Sequence, residues 1–124
     1  METLSVSTKN MTYRYFRPFF NGPVRVSLTK EASSNISRSN AKLNSILKKE
    51  ETIYGVNTGF GNLSHIAILP DDQKQLQINL IRSHAAGTGQ PLELGIVRSV
   101  LFLKLLTFAH GYSGVRLALA NKII

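Results

Sequence analysis

Tyr54 heads the run Tyr54-Gly55-Val56-Asn57-Thr58-Gly59-Phe60-Gly61, a phenol followed by three glycines within seven residues. Glycine lets a backbone enter positive φ and approach a ligand closely. A phenol in water gives up its proton only near pH 10, but adjacent amide N–H groups or a cation bring the phenolate within reach. Held that way, it can take a proton from carbon. Successive amides of such a loop can also form an anion-binding nest. The spacing G-x-x-x-G-x-G is not the dinucleotide fingerprint, and no Lys-Ser/Thr follows to make a P-loop. Spacing alone leaves two readings: a base carried on a glycine loop, or a packing tyrosine in a glycine-rich turn.

A second stretch, Arg82-Ser83-His84-Ala85-Ala86-Gly87-Thr88-Gly89, sets an imidazole just before a glycine turn. Such a histidine is structural, or it faces a cavity. His65 and His110 are isolated, and no spacing links the three histidines as metal ligands. The carboxylates Glu2, Glu31, Glu50, Glu51, Asp71, Asp72 and Glu93 show no acid–base pair at a recognisable spacing, and no Ser-His-Asp arrangement can be read. No metal is therefore expected.

The elements that would position these residues are mostly helices. Val24–Leu28 (VRVSL) alternates apolar and polar, as a short strand does. Thr29 offers an N-cap. Ala32, Ile36, Leu43, Ile46 and Leu47 then make one apolar stripe over about five helical turns, with a polar gap at Ser39. Lys42, Lys48 and Lys49 sit toward the C-terminal end, where the helix dipole favours cations. Leu69-Pro70-Asp71-Asp72 reads as a helix start, with Leu76, Leu80 and Ile81 as its buried face and Gly87, Gly89 and Pro91 ending it. A further helix begins near Leu92 or Glu93. Its residues Ile96, Val97, Val100, Leu101, Leu103, Leu105, Leu106 and Phe108 point nearly all the way round, the pattern of a helix in the middle of a large bundle. Gly111 stops it, and Ser113 can cap a last helix from Gly114.

Tyr13–Pro23 packs five aromatics and two arginines into a few positions and closes on Asn21-Gly22-Pro23, a turn signal. It is either an apolar arm that packs on the body or a partner, or an aromatic-basic patch for single-stranded nucleic acid.

The bulk properties narrow the class. With 124 residues and 43% hydrophobic content the chain is globular and of single-domain length. The absence of cysteine excludes disulfides, thiol nucleophiles and cysteine metal sites. The longest apolar stretch, Ile96–Ala109, is broken by Arg98 and Lys104 and falls short of the roughly 20 residues a membrane span needs. Met1–Asn10 is polar and mixed, unlike a signal peptide, so a cytoplasmic location without membrane association is expected. The net charge of +8 would suit a basic, non-catalytic module on nucleic acid, yet the basic residues are dispersed, with no cluster longer than Lys48-Lys49. The close on Ile123-Ile124 and the all-round apolar helix together suggest a truncated chain whose core is completed elsewhere.

Taken in order, YGVNTGFG, then LQINLIRSHAAGTGQPL (Leu76–Leu92), then FAHGYSGV (Phe108–Val115) resemble the N-terminal part of the aromatic amino acid ammonia-lyases. The resemblance runs from about Val24 to the end and leaves residues 1–23 as a divergent N-terminal extension. It implies a mainly α fold: the helical N-terminal part of a long-helix bundle, with at most a short strand near the start and residues 24–124 cut off before the cofactor-forming tripeptide. It implies that Tyr54 is the general base that removes a β-proton from the substrate. The glycines would let a mobile loop close over the substrate, with Gly55, Asn57, Thr58, Gly59, Phe60 and Gly61 matching the family loop. Ser83, His84 and Gly61 would contact substrate. The Ser83-His84 pair resembles the histidine-specific members, with His84 bonding the substrate ring, although some tyrosine lyases and aminomutases carry Ser-His too. The implied reaction is loss of ammonia from L-histidine to give trans-urocanate, the entry to histidine catabolism, with a tyrosine or phenylalanine lyase or aminomutase as the alternative. The family's electrophile, methylidene-imidazolone, forms from an Ala-Ser-Gly tripeptide that these 124 residues lack, since the only Ser-Gly is Ser113-Gly114 after Tyr112. The isolated chain is therefore expected to be inactive. The implied partners are a small amino acid substrate and, for the full-length enzyme, the other subunits of a homotetramer in which Tyr54 would serve a neighbour's cofactor, with no nucleic acid.

Overall fold

The computed structural model describes residues 2–9, 11–49 and 51–124, so Glu50, one of the carboxylates weighed above, lies outside the described residues. The chain forms two compact units, one of residues 1–44 with 91–124 and the other of residues 45–90.

In the first unit, strand β1 (Glu2–Val6) lies parallel to β2 (Val24–Leu28), with Leu4 opposite Val26 and Val6 opposite Leu28. The alternation that predicts β2 is borne out residue for residue. Strand β1 is the element that a reading of Met1–Asn10 as polar and mixed passes over. Its Leu4 and Val6 are buried, and the alternating Thr3 and Ser5 are exposed. A five-residue strand with two apolar positions is too short a signal to detect without its partner.

The chain returns between the strands through a 3₁₀ turn at Tyr13–Phe16 and the short helix α1 (Pro18–Asn21). This aromatic arm packs on the body. Phe16 and Phe19 meet the ring of Phe102 at centroid distances of 5.9 and 5.3 Å, and Phe102 itself is almost fully buried. Tilted and edge-on aromatic pairs of this kind add about 0.5–1.5 kcal/mol each beyond the area they bury. Phe20 lies over Gly95, where a Cβ would stand 2.5 Å from its ring, so the glycine lets the arm approach the helix.

Helix α2 (Lys30–Leu47) starts where Thr29 predicts, because the Thr29 hydroxyl accepts the Ala32 amide at 3.1 Å. Ala32 and Ile36 are its buried residues. The polar gap in its stripe has a structural use. Asn35 Nδ2 donates to the Ala109 carbonyl at 3.1 Å, Asn40 Nδ2 donates to the Gly114 carbonyl at 2.7 Å, and Ser39 Oγ accepts the Gly114 amide at 3.0 Å. These three side chains hold the corner that follows helix α4 (Leu94–Ala109). Gly114 lies at φ +66°, and a Cβ there would reach within 2.6 Å of Leu43, so only glycine suits this turn. For the same reason the last helix, α5 (Leu117–Ile123), starts after Arg116 and not at Gly114, and Ser113 makes no capping bond. Helix α4 buries only Gly95, Phe102, Leu105, Phe108 and Ala109. Leu94, Ile96, Val97, Val100, Leu101 and Leu103 remain exposed, so the all-round apolar pattern is only half used within this chain.

In the second unit, helix α3 (Pro70–His84) begins with Pro70 in its first turn and with Asp71 and Asp72 favourably placed against the dipole, as predicted. The predicted buried face needs correction. No residue of α3 is fully buried, and Ile81 is 68% exposed. Leu76 and Leu80 are half-buried, and Ile81 falls about a third of a turn off their line. No helix among the described residues is long and apolar enough to cross a membrane.

Replacing Phe102 by Ala removes the ring that both Phe16 and Phe19 contact. We expect a loss of about 3–5 kcal/mol from the first unit, read as a lowered urea midpoint followed by circular dichroism.

Candidate active site

The loop that carries Tyr54 is built around one carboxamide. Asn57 Oδ1 accepts the Ile53 amide at 2.7 Å, while Asn57 Nδ2 donates to the Glu51 carbonyl at 2.9 Å. The Ile53 carbonyl in turn accepts the amides of Val56 at 3.0 Å and Asn57 at 3.3 Å, winding residues 53–57 into a single tight turn. The next residue closes the knot, because Thr58 Oγ1 accepts the Gly55 amide at 3.3 Å and donates to the Gly59 carbonyl at 3.0 Å. Asn57 and Thr58 are both buried, at 8% and 2% exposure, and no buried side-chain polar atom among the described residues lacks a partner. Buried polar groups satisfied in this way rigidify the segment that holds them.

The loop's other side is fastened to the segment before α3. The Ile68 amide donates to the Asn57 carbonyl at 2.8 Å, the Gly59 amide donates to the Ile66 carbonyl at 3.1 Å, and Thr58 pairs antiparallel with Ala67. The Gly59 backbone passes so close to Leu63 that an added Cβ would meet its carbonyl oxygen at 2.6 Å. Close approach, not positive φ, is what requires glycine at this position. Gly55, Val56 and Asn57 spend their amides inside the loop and Gly59 spends its own on Ile66, so the anion nest that the glycine pattern allows is not formed by these four.

What the knot leaves outside is the phenol. Tyr54 is 65% exposed and meets Phe60 nearly edge-on, with ring centroids 6.0 Å apart. Phe60 also covers Gly55, where a Cβ would lie 3.3 Å from its ring. Gly61, at φ +55°, opens the 3₁₀ turn Gly61–Leu63, is exposed, and has nothing within 4 Å of where a Cβ would stand.

Ser83 and His84 occupy the last turn of α3, in the same unit as Tyr54, and both are exposed. Ser83 Oγ donates to the Leu80 carbonyl at 3.1 Å, and His84 Nδ1 lies 2.9 Å from that carbonyl and 3.0 Å from Ser83 Oγ. No hydrogen bond or ring contact joins Tyr54 to His84 among the described residues.

The third motif, Phe108–Val115, belongs to the other unit and forms the corner held by Asn35, Ser39 and Asn40. A cavity of about 130 Å³ in that unit lies between Phe19, Val26, Phe102 and Leu105, with Arg98 at its edge, and takes in no residue of the three motifs. No group of three or more His, Cys, Asp or Glu side chains among the described residues is placed to hold a metal ion.

Solved structures with this fold include ammonia-lyases and aminomutases. Tyrosine aminomutase from Streptomyces globisporus superposes with a TM-score of 0.89 at 27% identity, over 98% of this chain and 23% of that one. Histidine ammonia-lyase from Trypanosoma cruzi does so with a TM-score of 0.84 at 30% identity, over 99% of this chain and 23% of that one. The chain belongs to the aromatic amino acid lyase family, whose model matches residues 11–124. Among curated relatives, the histidine ammonia-lyase of Staphylococcus saprophyticus is 36% identical over 98% of this chain and 24% of its own length. The chain thus spans about a quarter of the length of the curated relatives it matches.

Asn57 was placed in the loop by its motif, but its part as the clamp shows only in three dimensions. Replacing it by Ala leaves the Ile53 amide without its acceptor, a cost of about 1–3 kcal/mol. We expect amide hydrogen exchange at Ile53 to quicken roughly tenfold or more, and unchanged exchange there would show that the carboxamide does not hold the turn.

Proposed function

We propose that this chain is the base-bearing and ring-recognising portion of an enzyme that eliminates ammonia from L-histidine to give trans-urocanate, the first step of histidine degradation. The observation that carries this reading is the placement of Tyr54, a phenol held outside a turn whose own polar groups are satisfied within it. In the elimination the base takes the β-proton, its electron pair forms the Cα–Cβ double bond, and the C–N bond breaks with its pair leaving on ammonia. Tyr54 is assigned the proton removal. Ser83 and His84 are assigned contact with the substrate ring. Gly61, open above its Cα, leaves room for the substrate beside the loop.

The family's methylidene-imidazolone, when bound, supplies the electrophile that turns the amine into a leaving group. These 124 residues do not fit its formation. Ser113-Gly114 follows Tyr112 instead of an alanine. The Gly114 nitrogen, which would have to attack a carbonyl in the cyclisation, is bonded to Ser39 Oγ inside the α2 corner. No step is therefore assigned to that group in this chain, and a complete site requires residues outside these 124. The whole enzyme is proposed to be a cytoplasmic homotetramer in which Tyr54 can serve a neighbouring copy.

The Ser83-His84 pair and the histidine ammonia-lyase relatives support histidine as substrate. The likeness to a tyrosine aminomutase keeps tyrosine as the second reading.

Two measurements test the proposal. The pure chain should convert no L-histidine, and urocanate formed by it alone would refute the need for further residues. A chimera in which this chain replaces the matching quarter of the Staphylococcus saprophyticus enzyme should release urocanate, and Tyr54→Phe should cut its turnover by about 10²–10⁴-fold. Undiminished turnover would remove Tyr54 as the base, and preference for L-tyrosine would overturn the choice of histidine.

A further inference from the structure

We infer that Ser83 is a positioning residue for His84. Together with the Leu80 carbonyl it fixes the imidazole as the Nδ1–H tautomer and leaves Nε2 as a bare acceptor.

Three atoms at the end of α3 decide where the proton sits. The Leu80 carbonyl can only accept, so His84 Nδ1, 2.9 Å away, must bring the proton. A bare Nδ1 would set two lone pairs against each other at that distance. Ser83 Oγ already sends its own proton to the Leu80 carbonyl at 3.1 Å, so the lone pair it turns to Nδ1 at 3.0 Å accepts as well. The three contacts close a triangle in which every proton has one consistent place. In a neutral imidazole a protonated Nδ1 leaves Nε2 unprotonated. Nε2 makes no hydrogen bond among the described residues, and the side chain is exposed. An unconstrained histidine in water favours the opposite form, with the proton on Nε2. The local geometry therefore reverses the ordinary tautomer.

The consequence for selectivity rests on the lyase reading above. An Nε2 acceptor recognises a ring that offers an N–H or O–H at its far end, as imidazole and phenol do. An unsubstituted phenyl ring offers no such donor and would leave the acceptor unmet, which is how a polar site rejects an isostere lacking the bonding group. Ser83 acts on this choice through His84, in addition to the ring contact assigned to it above.

The test reads ring nitrogens, not turnover. In a long-range ¹H–¹⁵N correlation spectrum of the ¹⁵N-labelled chain, recorded above the imidazole titration, His84 should show a protonated Nδ1 and a bare Nε2. His65 and His110, whose rings make no hydrogen bond among the described residues, are the internal controls and should show the ordinary excess of Nε2–H. Ser83→Ala should lower the Nδ1–H share toward the controls, and Ser83→Thr, which restores a hydroxyl, should keep it. A native His84 spectrum like those of His65 and His110 overturns the inference, as does a share that Ser83→Ala leaves unchanged. Because no catalysis is measured, an inactive chimera would count against the lyase reading alone, and an ordinary His84 tautomer against this inference alone.

Discussion

The placement of Tyr54 depends on the two hydrogen bonds of the Asn57 carboxamide. One side chain accepts from the backbone at Ile53 and donates to it at Glu51, so it ties both ends of the turn in which the tyrosine stands. Aspartate could keep the acceptor but would set a carboxylate oxygen against the Glu51 carbonyl, and leucine could do neither. With the turn tied, Thr58 can be buried while it pairs with the exposed Ala67, and the phenol is the part left facing outward. The glycines of the same loop serve this fixed arrangement, Gly59 by letting the backbone pass Leu63.

A comparable economy governs the other unit. Helix α2 gives up apolar residues at Asn35, Ser39 and Asn40, and those positions hold the backbone of the corner at 109–114. A hydrophobic side chain at Ser39 would leave the Gly114 amide unpaired in a half-buried place, which costs more than a buried methyl group returns. The backbone of the third motif is therefore held on α2 at residues 109 and 114. Its Ser113-Gly114 pair belongs to a turn anchored on α2.

The surface of α4 shows how much of the fold these residues support. Its buried side carries the aromatic cluster on Phe102, while Leu94, Val97, Val100, Leu101 and Leu103 are left exposed to solvent. An apolar face of this extent is uncommon on a free-standing monomer. It accords with a chain that spans about a quarter of the length of its curated relatives.

Much was legible in the sequence for local reasons. The alternation of VRVSL, the Thr29 cap, the Pro70-Asp71-Asp72 helix start and the order of three motifs depend on neighbours in the chain, and each of these elements is found where it was expected, as is the family. Local signals failed where a distant partner decides the outcome. Strand β1 exists because Leu4 and Val6 find β2, and Gly114 is kept out of a helix by Ser39 and Asn40, some seventy-five residues away in the chain. Ile81 is exposed because α3 presents a neighbouring stripe to the little that covers it. The sequence by itself determined which residues could act, since a phenol, an imidazole and the glycines beside them are fixed by type and spacing. Only the tertiary structure decided how they are held, because hydrogen bonds such as those of Asn57 and Ser83 depend on directions in space that no spacing along a chain encodes.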